Sequence, residues 1–252
     1  MTSRRSFLAA SKLVVGAGVS LALAARSATA CTTATDAVCK VSCFLQGTKI
    51  KATKGQICIE ELRIGDRVLT VLGEAKQVKF VGRRDVWRER SQPWNDQGPV
   101  KISRFAIDGK VSHSDLYISP WHAIYIDGVL IPAKYLANGI SIVADAKPDA
   151  LYLTYFHIEL DTHEAILAEG FSVESFLRNK PDAFDNAEEY VRLYGPPGKP
   201  LTPFAAIVRY NRRQELASHL RTALAPIYDF RKPIDKIRDR IADGAAFACA
   251  AA

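Results

Sequence analysis

A chain of 252 residues, 48% hydrophobic and 24% charged, is long enough to bury a sizeable core in one domain plus extensions, with the balance of an ordinary globular protein. The formal net charge of +7 is spread unevenly: residues 1–30 carry four bases and no acid, residues 31–175 carry 17 bases against 18 acids, and residues 176–252 carry 13 against 9. A near-neutral middle removes most of the support for nucleic-acid binding, and the basic C-terminal part is read as a solvated helical face.

Residues 1–30 read as an export signal. Ser3-Arg4-Arg5-Ser6-Phe7-Leu8 resembles the twin-arginine consensus, an apolar stretch from Leu8 to Ala25 follows, and Ala28-Thr29-Ala30 supplies small residues for cleavage between Ala30 and Cys31. That resemblance implies the twin-arginine export machinery as a partner, a folded cargo, and a periplasmic or extracellular destination. Lys12 and several Gly and Ala residues make the apolar run a poor permanent membrane span. Ala28-Thr29-Ala30-Cys31 is an imperfect lipoprotein box, with Ala28 where Leu is usual. Cys31 therefore has two readings, a plain cleavage product and a lipid anchor.

Cys31, Cys39, Cys43 and Cys58 cluster near the predicted mature N-terminus, with Cys249 isolated at the far end. An oxidising compartment permits a disulfide among the first four, and a Cys39–Cys43 bridge would lock Cys43. Their spacing contains no C-x-x-C knuckle, so metal ligation is set aside, and no cofactor motif is read.

From Thr48 to Leu160 short apolar runs alternate with turn signals. Examples are Val68–Val71, Val78–Val81, Val100–Ile102, Ala123–Ile126, Val129–Ile131 and Leu151–Ile158, punctuated by Gly65-Asp66, Leu72-Gly73-Glu74, Asp108-Gly109, Asp127-Gly128 and Asn138-Gly139. The last three are hairpin pairs whose central residues can take positive φ. The pattern predicts a compact all-β domain of many short strands. Polar residues 83–95, with Trp87 and Trp94, are predicted to be a long loop. Beyond Ser175, Pro/Gly-rich breakers give way to helical spacing over residues 203–224 and 234–241, and residues 245–252 are expected to fray.

Chemistry concentrates on Cys43 and on Ser119-Pro120-Trp121-His122. A cysteine thiolate is well suited to attacking a carbonyl near neutral pH, and His122 can serve it as acid or base. A lone cysteine is more often a small core residue, and a histidine in a strand is often a satisfied core group, so the surrounding motif carries the argument.

That motif resembles a known family. Cys43-Phe44-x-x-Gly47-Thr48-x-Ile50, followed by Ile59-Glu60-Glu61-Leu62-x-x-Gly65-Asp66-x-Val68, resembles the opening of Hint domains, the self-processing domains shared by inteins and hedgehog proteins. Ser119-Pro120-Trp121-His122 looks like the family's Thr-x-x-His block. Tyr155–His163 leading into Ala168–Ser175 resembles its closing block. The whole is most similar to the bacterial hedgehog/intein-like group. The resemblance implies a Hint-like domain over residues 43–178, a short segment 31–42 before it, and a linker and helical extension over 179–252.

The resemblance further implies autoproteolysis at Ser42–Cys43 through an N-to-S acyl shift and a thioester. Cys43 would be the nucleophile and His122 the acid or base, with Ser119 orienting the scissile amide or His122. His163 matches the closing block's histidine and His157 is an extra candidate. Glu174-Ser175 stands where inteins carry His-Asn, so full splicing is not expected, and Asp85, Asp108 and Asp115 remain open as a hedgehog-type aspartate. The acceptor nucleophile is not identified. Alternative readings are a catalytically silent binding or structural module and a cysteine hydrolase acting on other molecules.

Overall fold

The computed structural model describes residues 41–94, 96–107, 114–178, 183–208, 217, 221, 229 and 231–250. The predicted export signal, Cys31, Cys39, the Asp108-Gly109 turn, His113, His219 and most of the helical pattern expected over 203–224 lie outside these residues.

Short runs rich in Val, Ile, Phe and Tyr become strands because a pleated backbone buries alternate side chains while its polar groups pair sideways. The first are β1 (Phe44–Leu45), β2 (Lys49–Ala52), β3 (Gly55–Cys58), β4 (Arg67–Leu69) and β5 (Ala75–Gln77). The next are β6 (Phe80–Trp87), β7 (Val100–Ile102), β8 (Leu116–Ile118), β9 (Ala123–Ile126) and β10 (Val129–Pro132). The last are β11 (Ile142–Val143), β12 (Tyr152–Glu159), β13 (Ala165–Ala168), β14 (Phe171–Glu174) and β15 (Ala206–Ile207). Two α-helices are described, α1 (Ala187–Tyr194) and α2 (Pro233–Ala250). The fold is mostly β, as the sequence pattern predicts. No helix among the described residues is long and apolar enough to cross a membrane.

One sheet runs β11-β7-β8-β1-β12-β6 and the other β15-β10-β9-β14-β13-β2-β4-β5, with β3 paired to β2. The main core draws on both sheets. Phe44, Ile102, Leu116, Ile118 and Ile158 come from the first, and Ile50, Val68, Ile124, Ile166 and Val173 from the second. The first sheet also buries its other face. Cys43, Leu45, Phe80, Val86, Leu153 and Tyr155 pack there with Phe176, Phe184 and Tyr190 of α1. Strand alternation thus sends Phe44 into one core and its neighbours Cys43 and Leu45 into the other.

Several local expectations are corrected. Residues 83–87 are not loop but continue β6, which pairs with β12 from Tyr152↔Trp87 to Glu159↔Phe80. As the edge strand of its sheet, β6 tolerates polar side chains on its less covered face. Asp127-Gly128 does turn between β9 and β10 with both φ angles positive, at 49° and 84°. Asn138-Gly139 is no hairpin. The Asn138 Oδ1 instead accepts the amides of Ile140, Ser141 and Ile142, a side-chain-capped loop. Within 203–224, residues 206–207 are strand rather than helix, pairing in parallel with β10. The predicted helix at 234–241 extends to residue 250, and Ala245 is buried where fraying was expected.

Ile234, Ile237 and Ile241 form one stripe of α2 and belong to the main core, so the C-terminal extension is part of the fold. Ile237→Ala is expected to cost about 2–4 kcal/mol of unfolding free energy, measured by urea denaturation, because a buried isoleucine leaves a cavity. A loss of only a few tenths would show that α2 is a detachable appendage.

Candidate functional site

The site is built where β1 meets β8. Phe44 pairs with Ile118, which sets Ser119 beside Cys43. The Ser119 amide donates to the Cys43 carbonyl at 2.8 Å, and the Cys43 amide donates to Ser119 Oγ at 2.8 Å. The Ser119 hydroxyl in turn donates to the Val41 carbonyl at 2.9 Å. One hydroxyl therefore grips the backbone on both sides of Ser42. Ser119 thus touches the backbone at Val41 and Cys43 through its hydroxyl, and His122 through its carbonyl.

His122 follows in a tight turn, its amide donating to the Ser119 carbonyl at 3.1 Å, and leads into β9. The side chain is fully buried. Its Nε2 lies 3.0 Å from the Glu174 carbonyl. A carbonyl can only accept, so Nε2 carries the proton and Nδ1 is a bare lone pair, which has no hydrogen-bond partner. Burial pulls this imidazole below its ordinary pKa, against the opposing pull of the Glu174 charge and of the Cys43 and Glu174 carbonyls, so the ring is neutral at pH 7.

Glu174, at the end of β14, is the hub. Its Oε1 accepts the Ser42 hydroxyl at 2.7 Å and the Ala123 amide at 2.8 Å, and its Oε2 lies 3.6 Å from His163 Nε2. His163 Nδ1 accepts the Phe204 amide at 2.9 Å, so its protonated Nε2 faces the carboxylate. Burial pushes the Glu174 carboxyl up, but His163, His122, Ser42 and the Ala123 amide together hold it below its ordinary value, and it is ionised. Ser42 Oγ also lies 3.2 Å from the Trp121 carbonyl.

The Cys43 thiol is 2% exposed and free. Burial pushes it up to about 12, and the Arg84 charge lowers it only partly. It packs in the second core, whereas the His122 ring packs against Phe44 at a centroid distance of 4.3 Å. His157 lies 4.8 Å from His122, ring to ring, and 5.3 Å from Phe176. Continuing the Phe44↔Phe156 register by one step sets His157 opposite Cys43. Neither of its nitrogens has a hydrogen-bond partner, and burial with the neighbouring His122 and His163 holds it well below its ordinary value.

The residues singled out in the sequence thus gather around one junction: Cys43 and Ser119 by backbone contact, His122 and His157 ring to ring, and His163 through Glu174. Asp115 is instead paired with Lys101 at 2.9 Å and Asp85 with Arg83 at 2.8 Å. Sequence reasoning noticed Glu174 only as a departure from His-Asn. Its signal was its position, one residue before the end of the closing block. Ser175, where an asparagine would stand, is fully buried and its Oγ accepts the Glu164 amide at 2.9 Å, a structural bond.

The Hint domain family profile matches residues 42–180, more than half of the chain. The chain belongs to the Hint domain family. Among solved structures, its fold is similar to that of the MchDnaB-1 intein, at 10% identity over 53% of this chain and 99% of that one, with a TM-score of 0.39. A DnaB intein from Synechocystis sp. PCC 6803 is similar at 12% identity over 54% and 99%, TM-score 0.37. A bacterial intein-like domain from Clostridium thermocellum is similar at 13% identity over 54% and 99%, TM-score 0.32. No curated protein matches the chain.

Two buried histidines of this Hint domain, His122 and His157, imply a pH dependence of stability. Their folded pKa values lie below 6.5, so their contribution is complete above pH 6.5 and is lost as pH falls, when the unfolded chain binds protons that the folded one refuses. Between pH 7.5 and 5.5 each should cost about 1.4 kcal/mol at most. His157→Phe, which keeps a ring between Phe44 and Phe176, is expected to halve that loss in urea unfolding. An unchanged pH slope would contradict a neutral buried ring.

Proposed function

We propose that this Hint domain cleaves its own backbone between Ser42 and Cys43 by an N-to-S acyl shift, without full intein splicing. The Ser119 hydroxyl carries the reading: it fixes the Cys43 amide and the Val41 carbonyl, so the junction is held from both sides. Such immobilisation turns attack by the neighbouring sulfur into an oriented intramolecular step.

In the first step Cys43 Sγ bonds to the Ser42 carbonyl carbon, the bond to the Cys43 nitrogen breaks, and the thiol proton ends on that nitrogen. Water then adds to the thioester, leaving a carboxylic acid on Ser42 and restoring the thiol. In this proposal His122 takes the thiol proton on its bare Nδ1 and gives it to the leaving nitrogen, returning to the neutral ring. In this reading His157 supports the His122 ring against which it packs, and His163 acts through Glu174. Once free, the Cys43 amine, with a pKa of about 7.7–8, is partly protonated near neutrality and draws the uphill thioester forward.

Export by a twin-arginine signal is part of the same proposal. Removal of residues 1–30 leaves the short segment Cys31–Ser42 as the released piece, and a lipid on Cys31 would make the cut a release from a membrane. A second reading, a catalytically silent module, is favoured by the thiol itself: a group at about 12 is ionised in roughly one molecule in 10⁵ at pH 7.

Intact-mass spectrometry of the purified chain, with and without hydroxylamine, separates the two. Wild type is expected to lose everything up to Ser42, faster as pH rises from 7 to 9 because the thiolate fraction grows. Cys43→Ala should abolish the loss and His122→Ala should slow it roughly a hundredfold. Cleavage that persists in Cys43→Ala, or a wild type that stays intact under both conditions, leaves the silent module.

A further inference from the structure

Glu174 makes a contact that a purely structural carboxylate would not need. Of the groups that face it, the Ala123 amide and His163 belong to the body of the domain, but the Ser42 hydroxyl sits on the residue directly upstream of the nucleophile. At 2.7 Å this is the shorter of the two contacts made by the Ser42 hydroxyl, the Trp121 carbonyl lying at 3.2 Å. A hydroxyl has one proton, so it donates to the carboxylate. Ser42 itself is half-buried, whereas Glu174 is nearly fully buried.

We infer that Glu174 is the specificity determinant for the acyl side of the junction: its carboxylate accepts a hydrogen-bond donor from residue 42, and the site takes a small hydroxyl side chain there. This rests on the self-cleavage proposed above and names the residue class that it accepts. Serine and threonine can donate. Alanine leaves a buried carboxylate short of a donor, and an aspartate would set two carboxylates against each other.

The same contact supplies a reason for the product to leave. Hydrolysis of the thioester turns the Ser42 carbonyl into an α-carboxylate, within one side chain's length of Glu174. The bond that orients the junction before the cut becomes a pair of like charges after it, which disfavours resealing and expels the upstream segment.

The test is a cleavage-rate series on the full chain, followed by intact mass, with thermal unfolding run in parallel. Ser42→Thr is expected to cleave at close to the wild-type rate, and Ser42→Ala roughly ten- to a hundredfold more slowly. Ser42→Asp should be slower still. Adding Glu174→Gln to Ser42→Asp should restore part of the rate, since an amide can donate to the new carboxylate; a merely structural Glu174 predicts no rescue. Ser42→Ala at the wild-type rate, or a double variant no faster than Ser42→Asp, overturns the assignment while leaving self-cleavage standing. A wild type that never cleaves overturns both.

Discussion

A buried negative charge has to be answered from every side, and Glu174 is answered by a serine hydroxyl, a backbone amide and an imidazole drawn from separate parts of the chain. Those partners lie before β1, at the start of β9 and between β12 and β13, so satisfying one carboxylate fixes the positions of three segments. The Glu174 carbonyl adds a fourth constraint by holding His122 through Nε2. The Ser42 contact ends on the residue that supplies the carbonyl of the Ser42–Cys43 peptide. The electrostatics of a single side chain thus sets the geometry of the junction.

Cys43 lies under the opposite constraint. Packing in the second core holds the Cys43 thiol protonated and shields it from solvent, which suits storage better than attack. Two buried, neutral histidines with unpartnered nitrogens, His122 and His157, pack ring to ring nearby. Burial keeps them uncharged and makes them weak proton acceptors at neutral pH. The self-cleavage proposed above would be slow under this balance, and it would need to occur only once per chain.

Much of the architecture was readable beforehand. The alternating apolar runs and the Asp127-Gly128 turn announced short antiparallel strands, and the motif around Cys43 pointed to a Hint domain. Where the structure departs from the local pattern, a nearby partner overrules local preference. Polar residues 83–87 became strand because β12 offered an unbroken row of backbone groups. Residues 206–207 became strand because β10 did the same. Asn138 capped its own loop with its side chain rather than turning a hairpin.

The sequence by itself determined the all-β character, the family, and the identities of Cys43, Ser119, His122, His157 and His163 as residues of interest, since these follow from residue type and spacing along the chain. Only the tertiary structure decided that Ser119 straddles Ser42, that Glu174 rather than a histidine occupies the centre, and that Cys43 and Phe44 face different cores. The reason is that hydrogen bonds between residues 42 and 174, or 43 and 119, depend on strand register, and register is set by the packing of two whole sheets rather than by any local pattern.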